Sequence, residues 1–456
     1  MSRKDYYAFI LRNWIYPLAQ RMQGRDFHPA MNTALRDQFL SSDELRELQF
    51  RKVSALIRHA YQTVSYYRQA FGKVGLRPEG IKTWEDFKNI PLLTKELLRE
   101  NEGTLISTKP DSALYPVTTS GSTGMPLKSM FSQRAALRAN VSRIRSLKWW
   151  GIELGDREIR MSNTGFSLGR GWRKFNYEYV STPMRNMLMN RKQFSVFTMP
   201  PKIMQEYWEA ILKFSPRYIF AFPSAYALFA NYLHEKGYDG REANLKLVVT
   251  NAEILHEWQE QLITTTFGCP VAEEYGSVEV GVIAHSHPCG AMHTMDDAVI
   301  VEVIKSNPND EYGQVVVTNL DNWGYPIIRY NLNDLAKTIQ NGHDCSLGIG
   351  LGKLEGLMGR DQDVIRLASG RIVYYLYFHE LIYQVRGVRQ YQVIQKKLDL
   401  FELNILPEGE TFSHEQENYI QEVVREHLEG STINIKIVDN IPKDPSGKLR
   451  FVISEV

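Results

Sequence analysis

With 456 residues, 43% hydrophobic and 23% charged, the chain has the apolar mass for a large core and the length of about three domain-sized units. No low-complexity tract or sustained heptad pattern occurs, which excludes disordered, collagen-like and coiled-coil classes. The net charge of +2 conceals an uneven distribution: residues 131–220 hold 16 Lys and Arg against 6 Asp and Glu, a block near +10 in a remainder near −8.

Residues 1 to about 100 read as a helical layer. The stretch "SSDELRELQFRKVSALIRHAYQTVSYY" opens on the cap candidates Ser41, Ser42 and Asp43 and then repeats apolar residues at three- and four-residue spacing. The apolar run Tyr6 to Pro17 is interrupted by Arg12 and Asn13 and has no small-residue cleavage site after it. Pro216 to Leu233 is broken by Arg217, Pro223 and Asn231. Neither is expected to span a membrane, and contact with one is at most peripheral. Three cysteines, Cys269, Cys289 and Cys345, are too few for a disulfide framework, so a cytoplasmic protein is expected.

From about 105 to 340, β-rich runs such as "LKLVVTNAEI" and "GQVVVTNL" alternate with helical patterns such as "SAYALFANYLHEKG", which predicts helix-covered sheets of α/β type. Beyond the glycine-rich "SLGIGLGKLEGLMG", short strands and a helix near 414–428 predict a small α+β module. The chain is therefore divided into 1–358 and 359–456.

Within the basic block, "NTGFSLGRGWRKFNYEY" mixes cations with aromatics, but no nucleic-acid-binding pattern accompanies it, so nucleic acid is not an expected partner. A solvated charged face and a site for a small anionic partner are the two readings. Two matching tripeptides, "HPC" and "HDC", supply His287, Cys289, His343 and Cys345. Two His-x-Cys pairs offer four ligands suited to tetrahedral Zn²⁺, with His285 and His293 nearby.

The segment "YPVTTSGSTGMPLK" sets two glycines among hydroxyl side chains and ends in a lysine. Such a loop can aim backbone N–H groups, hydroxyls and Lys128 at a polyphosphate, although no Walker-type string is present. It resembles the phosphate signature of the adenylate-forming superfamily of acyl-CoA synthetases. Further motifs follow in that family's order: "VTNAEIL", "EEYGSVEVG", "PIIRYNLNDLAKT", "GRDQDVIRLASGRIVY" and "IPKDPSGKLR". The segments "RYNLNDLA" and "IPLLTKELLRE" are most similar to the phenylacetate–CoA ligase and CapK-like branch.

The resemblance implies a large N-terminal adenylation domain and a small mobile C-terminal domain that carries a catalytic lysine, Lys448. It implies that Thr119, Ser120, Gly121, Ser122, Thr123, Gly124 and Lys128 hold the ATP phosphates and that Glu279 ligates Mg²⁺. Ala252, Glu253, Tyr275, Gly276 and Ser277 would surround adenine, with Asp334 and Arg360 on the ribose. The acyl pocket would be formed by Phe166, Phe222, Pro223, Ser224 and Tyr226, compatible with an aromatic acid. Gln362 departs from the usual Asp or Lys of the hinge and raises the question of an altered second step. The implied reaction is ATP-dependent carboxylate adenylation followed by transfer to coenzyme A. The alternatives are transfer to an amino or hydroxyl acceptor, or a non-catalytic nucleotide-binding protein. A homodimer would be unsurprising for the branch it resembles.

Overall fold

The computed structural model describes residues 3–118, 127–162, 186–196, 199, 201–340, 345–360, 364–369, 372–374, 378, 381–382, 385, 387–408, 412–442 and 449–456. Two compact units are formed: Met1–Leu332 with Ala336–Leu357, and Asn333–Leu335 with Met358–Val456.

The first unit opens with helices. Ser41 caps Ser42–Thr63 as the pattern S-x-x-E requires: its hydroxyl accepts from Glu44 N, and the Glu44 carboxylate accepts from Ser41 N at 2.8 Å. Leu45, Val53, Leu56, Ile57 and Ala60, on one helical face, are buried. The last four join the core of the strands described below through Val299, Val315 and Val317. Ahead of this helix, Tyr6, Phe9, Trp14, Leu18 and Met22 remain exposed. No helix among the described residues is long and apolar enough to cross a membrane.

β1 (Leu114–Thr118) and β2 (Lys128–Ser132) are antiparallel, with Thr118 opposite Lys128 in the register. β3 (Glu158–Ser162), β4 (Arg191–Ser195), β5 (Tyr218–Ala221), β6 (Leu247–Asn251) and β7 (Val271–Ser277) are parallel. The connections after β4, β5 and β6 contain the helices Pro201–Phe214, Pro223–Lys236 and Glu257–Phe267. β5 and β6 are almost wholly apolar because both faces are covered, as in doubly wound sheets. β8 (Gly281–Ser286) and β9 (Met292–Thr294) continue this sheet antiparallel.

β10 (Val299–Ile304), β11 (Gly313–Asn319) and β12 (Tyr330–Ala336) start another sheet, whereas β13 (Thr338–Gln340) and β14 (Lys353–Glu355) return to the first. The first sheet has the order β13-β14-β9-β8-β7-β6-β5-β3-β4. The glycine-rich stretch ahead of β14 is packed against the N-terminal helices: a Cβ on Gly350 would overlap Leu40 O, and Gly350 N donates to Gln38 O at 2.8 Å.

Helix Gln133–Trp149, the start of the basic block, is fastened by buried ion pairs. Arg138 and Arg145 meet Asp297 at 2.8 and 3.0 Å, and Lys52 and Arg134 meet Asp321 at 3.0 and 3.2 Å. Arg143 grips Glu274 through two bonds of 2.7 and 2.6 Å, and Glu158 takes both Arg160 and Arg191. With Lys148 on Glu153, seven of the block's cations are in ion pairs among the described residues. A solvated face therefore describes only part of it.

These pairs give stability a pH dependence. Burial by itself would raise the Asp297 carboxyl, but Arg145 and Arg138 outweigh it and hold the group down at about 2; Arg160 and Arg191 do the same for Glu158. Depressed carboxyls stabilise the fold above their unfolded pKa of about 4, and that contribution is lost as pH falls toward 2. Asp296, pushed up to about 6 by burial, acts in the opposite sense between about pH 4 and 6, where its protonation favours the folded state. The expected profile is a denaturant midpoint that holds or rises slightly from about pH 7 to 5 and falls steeply below about pH 4. A midpoint unchanged between about pH 5 and 2.5 would show that the pairs contribute nothing.

The second unit is α+β. Met358–Val456 contains β15 (Gly359–Arg360), the hairpin of β16 (Val364–Arg366) and β17 (Ile372–Tyr374), and a four-stranded sheet. In that sheet, β18 (Val388–Lys397) and β19 (Leu400–Pro407) are antiparallel. β20 (Thr432–Ile437) lies parallel to β19 and β21 (Val452–Ser454) parallel to β18. Ser413 caps His414–His427, whose Ile420 and Val424 are buried, as are Phe401, Leu403 and Ile433 of the sheet.

Candidate active site

In an open parallel sheet, ligands bind beyond the carboxyl ends of the strands, where the chain leaves for the covering helices. β5, β6 and β7 are neighbours, so their carboxyl ends place three of the sequence motifs side by side.

At the end of β5, Pro223 occupies the first turn of Pro223–Lys236, which has no side-chain cap from Phe222. The missing acceptor comes from the end of β6. Glu253 takes Ser224 N on Oε2 and Ser224 Oγ on Oε1, each at 3.0 Å, setting a carboxylate on a helix N-terminus. Two motifs read separately in the sequence are thus one unit. Its neighbour Ala252 is exposed and has φ +65°, a left-handed conformation that costs a non-glycine residue about 1–2 kcal/mol. Strain of this kind persists where flanking structure fixes it, and here Glu253 does so. Phe222 and Pro223 are buried and Ser224 half-buried at this end. Tyr226 is elsewhere: it is fully buried in the core beneath, edge-on to Phe267, and its phenol pKa is raised by burial.

The Glu253–Ser224 contact makes a measurable prediction. Glu253→Ala leaves two helix N-terminal donors without their acceptor, which should cost about 1 kcal/mol of stability by the scale of a lost N-cap. Glu253→Gln should recover most of it. Equal denaturation midpoints for Glu253→Ala and the parent would show that the carboxylate does not cap this helix.

β7 and β8 form a hairpin whose register shifts between Tyr275 and Gly276. A Cβ on Gly276 would lie 2.4 Å from Gly281 O, so glycine is the residue that permits this approach. The turn is held by Ser277 Oγ, which accepts from Val280 N at 3.2 Å. Glu279 on this turn is buried, and Tyr330 Oη donates to its Oε1 at 3.2 Å. A carboxylate is a hard oxygen donor of the kind that suits a hard cation. Tyr330 is not among the site residues that the sequence motifs single out. The signal for it is its place four residues before Asp334 on β12.

Lys128 is exposed on β2. Asp334 is half-buried on β12, directly across from Arg360 in the strand register. The expected phosphate residues Thr119, Ser120, Gly121, Ser122, Thr123 and Gly124 lie outside the described residues, as do Phe166, His343, Gln362 and Lys448.

Residues 366–455 match the CapK C-terminal domain family. The chain is 24% identical to the phenylacetate-coenzyme A ligase of Thermus thermophilus, over 91% of this chain and 97% of that one. It is 22% identical to Protein CapK of Staphylococcus aureus, over 91% and 90%. Among solved structures, 2-hydroxyisobutyryl-CoA ligase in the postadenylation state aligns with a TM-score of 0.72 at 20% identity, covering 92% of this chain and 91% of that one. The fold is that of the adenylate-forming CoA ligases. In sequence the chain is similar to phenylacetate–CoA ligases and to Protein CapK, and its residues 366–455 carry the CapK C-terminal domain.

Proposed function

We propose that this protein is an AMP-forming ligase that activates a carboxylic acid with ATP and passes the acyl group on, with coenzyme A as the leading acceptor. The observation that carries the reading is the carboxyl-end cluster of β5, β6 and β7. It sets Ala252 in its left-handed conformation, the Glu253–Ser224 cap, Tyr275 and the buried Glu279 along one edge of a fold shared with ligases of this reaction. In the first half-reaction a carboxylate oxygen attacks the α-phosphorus, the bond to pyrophosphate breaks, and acyl-AMP forms. In the second, a thiol attacks the acyl carbon and AMP leaves.

In this reading the segment Thr119–Gly124 and Lys128 hold the β- and γ-phosphates, Tyr275 offers its ring to adenine, Ala252 and Glu253 flank the base, Gly276 and Ser277 belong to the same ATP site, and Asp334 and Arg360 take the ribose hydroxyls. Glu279, a hard oxygen donor, would hold Mg²⁺, which when bound neutralises phosphate charge. Lys448, from the second unit, would stabilise charge on the α-phosphate, and residues 359–456 would move between half-reactions, with Gln362 at the hinge. Phe222 and Pro223 favour an apolar acid, with phenylacetate, the acid in the relatives' names, as first candidate. That no disulfide joins Cys269, Cys289 and Cys345 agrees with a reducing cytoplasm.

A second reading keeps the adenylate and changes the acceptor to an amine or hydroxyl. It is favoured by the match of the second unit to the CapK family, since that unit would govern the second step. Pyrophosphate–ATP exchange across a panel of aromatic, aliphatic, amino and uronic acids tests the first half-reaction. The same mixtures with coenzyme A or an amino acceptor separate thioester from amide. Thioester formation without amide selects coenzyme A, and amide without thioester selects the second reading.

A further inference from the structure

At the end of β8 remote from Glu279, four side chains converge that the adenylation chemistry does not use. His287 and Cys289 lie in the connection between β8 and β9, His293 lies on β9, and Cys345 comes from the segment leading to β14. One ligand atom from each falls within 4.8 Å of all the others. Cys289 Sγ is 3.7 Å from His293 Nε2, and Cys345 Sγ is 3.9 Å from His287 Nδ1. With Zn–S near 2.3 Å and Zn–N near 2.0–2.1 Å, the S···N edge of a zinc tetrahedron is about 3.6 Å, close to both separations.

The surroundings fix the ligands. His293 Nδ1 faces the carbonyls of Leu351 and Gly352 at 3.0 and 3.3 Å, which places the ring proton on Nδ1 and leaves the Nε2 lone pair for the cluster. His287 Nδ1 accepts the Cys289 N–H at 3.2 Å and so carries no proton; its one lone pair would exchange that hydrogen bond for the metal. Trp149 stands edge-on to both imidazoles, with centroids 5.0 and 5.9 Å away, and both histidines are buried. His285, although buried nearby, turns its Nδ1 to Ser286 O and is not one of the four.

We propose that His287, Cys289, His293 and Cys345 form a structural zinc site. Two thiolates and two neutral imidazoles form a closed tetrahedral set with no position left for substrate, which is the pattern of structural zinc. The six residues of β8 separate it from the Glu279 turn by about 20 Å at 3.3–3.4 Å per residue. The metal ties residues 58 positions apart, His287 and Cys345, and so clasps the β8–β9 turn to the strand entering β14. The sequence pattern supplied three of these ligands, and His293 completes the set among the described residues. The proposal stands apart from the ligase reading, because it uses none of its residues.

The test is metal analysis of full-length protein purified without a histidine tag and without added metal. The expected result is about one zinc per chain, with removal of one ligand in Cys345→Ser weakening retention at least about 10- to 100-fold. Chelation should lower the melting temperature of the parent and leave that of Cys345→Ser unchanged. Cobalt(II) exchanged into the parent should give the intense visible bands of a tetrahedral thiolate site, a readout independent of the variant's folding. Parent protein with negligible metal overturns the proposal, whether thiol counting finds the cysteines free or joined as a Cys289–Cys345 disulfide. Full zinc retention in Cys345→Ser overturns it as well.

Discussion

Asp297→Ala is expected to cost about 3–5 kcal/mol, the scale for breaking a buried ion pair by removing one partner. Arg145 is fully buried and Arg138 nearly so, and the same carboxylate meets both. Its removal leaves Arg145 with Ala34 O and Met295 Sδ as remaining partners, neither of which carries compensating charge. Asp297→Asn should be milder in packing yet still costly, because the amide keeps the shape and loses the charge. The decisive control is Asp297→Asn combined with Arg145→Met, which removes the orphaned cation and should recover part of the loss. Equilibrium denaturation measures all three. A loss under about 1 kcal/mol for Asp297→Ala would mean that water enters to solvate the arginines and that the helix is not fastened here.

Lys448→Ala is expected to lower pyrophosphate–ATP exchange by about 10²-fold or more, the scale seen when one preorganised charge-stabilising group is lost. Thioester formation from acyl-AMP supplied directly should change far less, because the lysine acts on the α-phosphate and AMP is already formed at that stage. Glu279→Gln should also depress exchange, and raising the magnesium concentration should recover part of it. The amide introduced by Glu279→Gln keeps an oxygen for the Tyr330 hydroxyl, so the fold of that variant should survive and its defect should be chemical. Exchange by Lys448→Ala at the parent's rate would remove the lysine from adenylation. A defect confined to thioester formation would instead place it in the second step.

The α/β alternation, the Ser41 cap and the buried runs of β5 and β6 are legible in the sequence because each rests on local spacing or on covering of both faces. The phosphate segment reads as a loop, and its flanks Thr118 and Lys128 lie opposite each other in an antiparallel register. The ion pairing of the basic block is not legible. Its partners Asp297 and Asp321 lie 152 to 187 residues along the chain from Arg145, Arg138 and Arg134, and only the topology brings them together. The Ser224–Glu253 contact is hidden for the same reason, since adjacent parallel strands bring their ends together across a helix. Tyr226 packs in the core with Phe229 and Leu233, three and seven residues further on, a spacing that marks one helical face. His293 enters the sequence reading only as a neighbour of the matching tripeptides, because the pairing of β8 with β9 that brings it to the cluster is not visible in a sequence.

The long separation within the ion-pair network also governs the order in which the chain acquires its structure during synthesis. Arg138 and Arg145 leave the ribosome about 150 residues before Asp297, an interval on the order of 10 s at ordinary translation rates. Throughout it, Arg143 and Lys148 of the same helix gain Glu274 and Glu153, whereas Arg138 and Arg145 still lack the Asp297 carboxylate that meets both in the folded protein. A chain cut short ahead of Asp297 is left in that state permanently. Such fragments should bind chaperones and aggregate, whereas a chain that extends past Asp321 carries both counter-ions needed to settle the helix in place.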